Sequence, residues 1–194
     1  DEGDYIVIPR GCYDELISQL SVAGVRYDVV DKRQKGRKID IHFNGDLYSE
    51  QQIAAEKMLY NDIGVLAAAT AFGKTVLGAY LIAEKKVNAL VLVHNVEIMN
   101  NWIKDLSSFL TINEELPTYT TPKGRVKKRS SLIGTFSSQK DSTTGIIDIA
   151  MITSLGREDN INELVRNYGM VIVDECHHAA AVTHENVLRA VTAR

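Results

Sequence analysis

At 194 residues, with 45% hydrophobic and 24% charged side chains, the chain is long enough to bury a substantial core and has neither a fibrous nor a disordered composition. A formal charge of −3 does not announce a nucleic-acid binder, although a net value averages over faces and leaves room for a local basic strip. No apolar run reaches membrane-span length, no secretion signal precedes a cleavage site, and Cys12 and Cys176 give no disulfide framework, so a soluble cytoplasmic protein is expected.

Tyr5 to Pro9 reads as a short strand, and Gly11 leads into a helical pattern carrying Leu16, Ile17 and Leu20 that ends near Gly24. Two strand-like runs follow, Arg26 to Asp31 and Lys38 to Phe43, separated by the basic turn Lys32 to Arg37. Residues 1–45 are thus expected to form a small strand-helix-hairpin appendage, with the basic turn either facing nucleic acid or simply solvated. Asn44-Gly45 marks the boundary to a second region, 46–194.

Ser49-Glu50-Gln51-Gln52 has capping-box spacing, with Ser49 as N-cap and Gln52 returning the bond, and it opens a helix through about Tyr60. Gln51 is either part of that wet helix face or near a nucleotide, since an amide is donor and acceptor at once and matches an adenine edge. Ile63 to Ala69 then reads as a buried parallel strand running into Ala68-x-x-x-x-Gly73-Lys74-Thr75 and an apolar-periodic helix. That context suits a phosphate-binding loop. Backbone N–H groups of Ala69, Thr70, Ala71, Phe72 and Gly73 at a helix start favour an anion, Lys74 brings a point charge to terminal phosphates, and the Thr75 hydroxyl suits magnesium.

Asn88 to Val93 is a second buried strand, followed by a helix with Val96, Met99, Ile103, Leu106 and Leu110 at three-four spacing. His94 and Asn95 lie at that strand's carboxyl end, where open parallel sheets gather ligands, and Asn95 serves equally as a helix N-cap. Trp102 reads as packing. Residues 113–128 form a solvated loop with the cluster Lys123, Arg125, Lys127, Lys128 and Arg129, which is also suited to follow a phosphate backbone. A short strand near Ser131 to Phe136 precedes a buried strand Gly145 to Thr153, where Thr153 and Ser154 offer hydroxyls at the carboxyl end. A helix is expected at Asn160 to Arg166.

The strand Gly169 to Val173 drives into Asp174 and Glu175. Adjacent acids at the end of a buried strand need a positive partner, and a magnesium nucleotide on a neighbouring loop supplies one. Asp174 then holds magnesium, directly or through water, and Glu175 orients and deprotonates the attacking water. Cys176, His177, His178 and His184 also allow a zinc reading, which the divergence of adjacent histidines and the lack of a CxxC pair disfavour.

The segments LYSEQQ, AATAFGKT, VLVHNVEIMNNW, DIAMITSL and VIVDECHH, in that order, resemble the first RecA-like domain of a DExH-type superfamily 2 helicase, closest to type III restriction helicase subunits and related repair translocases. The resemblance spans roughly Gly45 to Arg194 and implies an α/β fold with a mostly parallel sheet flanked by helices. It implies ATP and Mg2+ as cofactors, DNA ahead of RNA as the track, and other subunits of a restriction or repair complex as partners. By it, Gln51 reads adenine, Thr70, Gly73, Lys74 and Thr75 hold phosphates, and Asp174 and Glu175 are the metal-binding and water-activating acids. His177 couples hydrolysis to nucleic acid, and His94, Asn95 and Thr153 touch the tracked strand. The sequence carries Ala69 and Ala71 where such loops carry proline and glycine, and Asn95 where a threonine or arginine is common. The chain does not open on methionine and closes on a helical Val187 to Arg194 with no strand after it, the pattern of an excised fragment. The resemblance places a second RecA-like domain with its arginine fingers beyond Arg194, so weak hydrolysis is expected of this chain alone.

Overall fold

A computed structural model describes residues 8, 10–69, 71–157, 160–161, 163–177 and 182–193. Contacts divide the chain into two units, Asp1–Lys32 and Arg33–Arg194. The first contains helix α1 (Tyr13–Val22), closed by Gly24 at φ 66° with Val25 N–H donating to the Leu20 carbonyl at 3.0 Å. Glycine suits that left-handed position, and the backbone bond satisfies a carbonyl the helix end leaves open. The strand expected at Tyr5 to Pro9 falls outside the described residues.

The second unit runs β1 (Ile41–Phe43), α2 (Ser49–Tyr60), α3 (Lys74–Lys85), β2 (Ala89–Val93), α4 (Val96–Phe109), β3 (Leu110–Ile112), the exposed ribbon β4 (Thr118–Thr120) and β5 (Val126–Lys128), β6 (Ile133–Phe136), β7 (Ile147–Met151), α5 (Ile152–Leu155), the short pair β8 (Gly156–Arg157) and β9 (Asn160–Ile161), β10 (Met170–Val173) and α6 (Val182–Ala190). Its centre is a parallel sheet in the order β10-β2-β7-β6, with Leu90 opposite both Val171 and Asp148. The all-apolar run ALVLV makes β2 the middle of this sheet, buried on both faces as a parallel strand requires. Ala89, Val91 and Val93 face α3 and α4 through Ala79, Ile82, Met99, Trp102 and Leu106, whereas Leu90 and Leu92 face Val165, Tyr168 and Val187. This alternation by twos gives an α/β layer structure with helices on both sheet faces.

The hairpin expected between Arg26–Asp31 and Lys38–Phe43 is not formed. Ile41–Phe43 pairs antiparallel with Leu110–Ile112, and Lys38 bridges Val87. Ile39 and Ile41 alternate with polar neighbours, and their apolar side is 4% and 0% exposed in the main core. Burying two isoleucines there is worth roughly 3–6 kcal/mol, more than a two-stranded ribbon in water offers. The basic turn is tied down within the chain: Arg33 pairs with Asp62 and Arg37 with Glu114, each at 2.8 Å. Asn88, 3% exposed, sews this turn to the sheet. Its amide oxygen accepts from Arg37 N–H (2.9 Å) and Gly169 N–H (3.1 Å), and its amide nitrogen donates to the carbonyls of Asn167 (2.8 Å) and Gly145 (3.3 Å). Gly36, at φ 74°, lets the turn press on Gly169, since a Cβ at 36 would lie 2.4 Å from the Gly169 Cα.

Asp148 is fully buried in β7, its carboxylate accepting from Thr144 N–H (2.8 Å), Gly145 N–H (2.7 Å) and the Tyr168 hydroxyl. Burial, then the Asp148 charge and hydrogen bond, push the Tyr168 hydroxyl far above its ordinary value. The unfolded chain therefore releases this proton near pH 10 while the folded chain keeps it, so the contribution is whole below about pH 10 and shrinks by about 1.4 kcal/mol per pH unit above it. Spectrophotometric titration is expected to show Tyr168 ionising only as the fold is lost, a feature that Tyr168→Phe removes.

Candidate functional site

The run Ile63 to Ala69 is not a strand. Ile63 and Val65 are 57% and 78% exposed, and β10 forms the sheet edge among the described residues. Gly64 and three successive alanines are poor strand formers, and without a ladder partner the apolar run has no reason to extend. The loop that follows is nonetheless shaped. Phe72 N–H turns back to the Ala69 carbonyl at 3.3 Å, Ala71 sits at φ 67°, and Gly73 at φ 79° is the residue from which α3 starts at Lys74. Ala68, the position where phosphate loops carry a first glycine, is not among the residues of positive φ. Thr70 lies outside the described residues. Gly73 is required twice, by its left-handed backbone and because a Cβ there would lie 2.6 Å from the Gln51 amide nitrogen. The half-buried Lys74 and Thr75 open the first turn of α3, where backbone N–H groups lack helical partners.

An alanine held at φ 67° stores about 1–2 kcal/mol that glycine would not. Ala71→Gly is therefore expected to raise the melting temperature and to tighten anion binding in the loop, checked by differential scanning calorimetry with and without nucleotide.

Helix α2 is capped one residue earlier than its spacing predicts. Gln51, not Gln52, returns the box bond: its amide oxygen accepts from Tyr48 N–H at 3.0 Å, while Gln52 bonds the Leu47 carbonyl at 3.2 Å. The Gln51 amide nitrogen donates to the Phe72 carbonyl at 2.7 Å, and the residue is 3% exposed. One side chain thus ties α2 to the phosphate loop.

Strand β10 delivers the acids. Asp174 N–H extends the ladder to the Leu92 carbonyl at 3.0 Å, after which Glu175 takes φ 50° and turns the chain. One Asp174 oxygen accepts from Glu175 N–H at 2.9 Å and the other from the Trp102 indole N–H at 2.8 Å. Glu175 stands between two cationic or cationisable groups, Lys74 Nζ at 3.7 Å and His177 Nδ1 at 3.2 Å. The loop lysine and the second acid, far apart in the chain, thus share one site. Trp102 is the residue that sequence reasoning undervalued. Its packing was legible from the three-four spacing, and the further signal was that a buried indole N–H needs an acceptor.

His94 borders a narrow cleft with Asp174, Glu175, Ile152 and His184. Asn95 caps α4, its oxygen accepting from Ile98 N–H at 2.8 Å and its nitrogen lying 3.2 Å from His94 Nε2. Strand β7 ends at Met151 instead of continuing to Thr153, which is exposed in the short helix α5. The helix expected over Asn160–Arg166 is β9 followed by a single 3-10 turn at Glu163–Arg166. His178 lies outside the described residues. The basic loop is an ordered ribbon, β4 against β5, exposing Lys123, Arg125, Lys127 and Lys128, with Arg129 stacked 4.4 Å from the Tyr119 ring centroid.

A parallel sheet with a glycine-initiated loop at a helix start, and paired acids at the end of an adjacent strand, defines a helicase-like α/β domain. The family described as "Type III restriction enzyme, res subunit" matches residues 44–194, and the chain belongs to it, as an N-terminal RecA-like domain of the superfamily 2 helicases. Over 95% of its length the chain superposes on the UvsW helicase of bacteriophage T4, covering 68% of that chain with a TM-score of 0.63 at 13% identity, a likeness of fold. It is 23% identical to "Putative ATP-dependent RNA helicase L396" of Acanthamoeba polyphaga mimivirus, over 100% of this chain and 34% of that protein. It is 26% identical to "Probable helicase D10" of Escherichia phage T5, over 90% of this chain and 34% of that protein. The chain spans about a third of the length of these two relatives. No helix among the described residues is long and apolar enough to cross a membrane.

Proposed function

We propose that this chain is the ATP-binding half of an ATP-dependent DNA helicase or translocase, with residues 46–194 forming the motor lobe and a second RecA-like lobe completing it. The observation that carries this reading is the approach of Lys74 Nζ to Glu175 Oε1 at 3.7 Å, which brings the phosphate loop and the acids to one point. Helix α3's N-terminal amides and Lys74 hold the phosphates. Gln51, the adenine reader by resemblance, has its amide committed to Tyr48 and Phe72, and in that arrangement it positions the loop beside the adenine. Thr75 and Asp174 offer hard oxygen donors of the kind magnesium takes, and Asp174's two oxygens, each with one hydrogen bond, keep lone pairs to spare. When bound, magnesium neutralises developing phosphate charge. Glu175 accepts the proton of the attacking water, and His177, 3.2 Å from it, relays contact with nucleic acid. His94, Asn95 and Thr153 face the tracked strand, and further subunits of a restriction or repair complex direct it.

The family's description favours DNA, and the name of the mimivirus relative favours RNA as the second reading. Calorimetric titration with magnesium ATP tests the site. In the longer protein, hydrolysis that rises with single-stranded DNA and not with RNA supports the first reading, the reverse supports the second, and indifference to both supports a nucleotide-binding regulatory module.

A further inference from the structure

The chain's single tryptophan is buried at 3% exposure on α4, yet its polar atom reaches across the core to the first acid of the site, Trp102 Nε1 to Asp174 Oδ2 at 2.8 Å. The outer edge of the ring abuts Gly78, one helical turn beyond Lys74 on α3. A Cβ at 78 would fall 2.6 Å from Trp102 Cη2 and 3.0 Å from Cζ3, so the recess exists because residue 78 has no side chain. With Oδ1 held by Glu175 N–H at 2.9 Å, both carboxylate oxygens carry a directed donor, and the plane of the carboxylate is held in one orientation. The indole therefore touches both halves of the site at once, the phosphate-loop helix with the Cη2–Cζ3 edge of its ring and the acid with its N–H.

We propose that Trp102 is a positioning residue for the Asp174 carboxylate: its indole N–H fixes the orientation in which Asp174 meets magnesium, and its ring against Gly78 sets the spacing between that carboxylate and the phosphate-loop helix. Removing a partner that orients a metal-holding side chain commonly costs about 10- to 100-fold in metal affinity. The inference rests on the magnesium nucleotide reading above, and its test separates the two.

The chain contains one indole N–H, so a 15N-labelled sample gives one indole cross-peak. Asp174→Ala is expected to move that peak upfield, and magnesium added with ATP is expected to shift it in the unsubstituted chain. Trp102→Phe keeps an aromatic ring and removes the donor. It is expected to raise the magnesium concentration for half-saturation with ATP by about tenfold while leaving magnesium-free ATP binding unaltered. Gly78→Ala, which crowds the ring and leaves both bonding partners chemically intact, is expected to raise it in the same direction, and it serves if Trp102→Phe does not fold. An indole peak unmoved by Asp174→Ala overturns the proposal whether or not nucleotide binds. Equal weakening of ATP binding with and without magnesium also overturns it, in favour of packing alone. An unsubstituted chain that binds no magnesium ATP, while its indole peak still responds to Asp174→Ala, overturns the nucleotide reading and the magnesium role with it.

Discussion

Lys74→Ala is expected to lower the affinity for magnesium ATP by roughly 10- to 100-fold while leaving the fold nearly as stable as before. Both effects come from where the ammonium sits. It lies 3.7 Å from Glu175 Oε1, with the two side chains 39% and 34% exposed. A pair that open to solvent contributes about 0–1 kcal/mol to stability, so its loss is nearly silent in a melt. Against a phosphate the same ammonium makes charge-assisted hydrogen bonds worth about 1.5–3 kcal/mol, the origin of the expected loss in affinity. Calorimetric titration beside a thermal melt reads the two effects separately. Unchanged affinity would remove the phosphate cradle from this loop, and a large drop in melting temperature would mean that Lys74 is chiefly structural.

What the sequence makes legible here is what is decided within a few residues. The run ALVLV is buried on both faces whatever its neighbours are, and β2 forms where the pattern places it. Asn95 caps α4 because its side chain needs only an N–H three residues on. The start of α3 at Lys74 follows from Gly73, whose left-handed backbone ends one conformation and begins another. The two misread strand pairings have a different cause, since each depends on a partner chosen elsewhere in the chain. Ile39 and Ile41 alternate as a strand does, but nothing local says that their neighbour is Leu110–Ile112 instead of Arg26–Asp31. Ile63 to Ala67 has strand composition in part, and among the described residues no strand pairs with it to make that composition count.

The site divides along the same line. Lys74, Asp174 and Glu175 were legible as candidates, because phosphate and magnesium chemistry asks for those groups at strand ends and helix starts, and Lys74 and Glu175 do come to 3.7 Å. The geometry that makes them a site was not: Trp102 reaches Asp174 across 72 positions and Gln51 reaches Phe72 across 21. Hydrogen bonds of this range are specified by packing of whole helices, which no spacing rule encodes. The loop shows both behaviours. Ala71 is read from the sequence as a departure from glycine, and only the structure shows that this residue is the one that adopts φ 67°.

Glu175→Gln, made in a chain that carries the proposed second lobe, is expected to leave ATP bound and to cut turnover by about 10²–10⁴-fold. The amide matches the carboxylate in size, and both side chains are the same at Cβ and Cγ, so the φ 50° backbone at 175 is under the same strain in either form. What changes is charge. A neutral amide cannot take a proton from water, and it no longer holds Lys74 by an ion pair at 3.7 Å or His177 at 3.2 Å. A lysine released from Glu175 is freer to meet the terminal phosphate, so binding is expected to be equal or tighter as the chemical step fails. Equilibrium binding and single-turnover hydrolysis on the same preparation test the two parts independently. Loss of both would mark Glu175 as a scaffold for the loop through Lys74. Retained turnover would move the base elsewhere, and His94, which borders the same cleft as both acids, is the next group to replace.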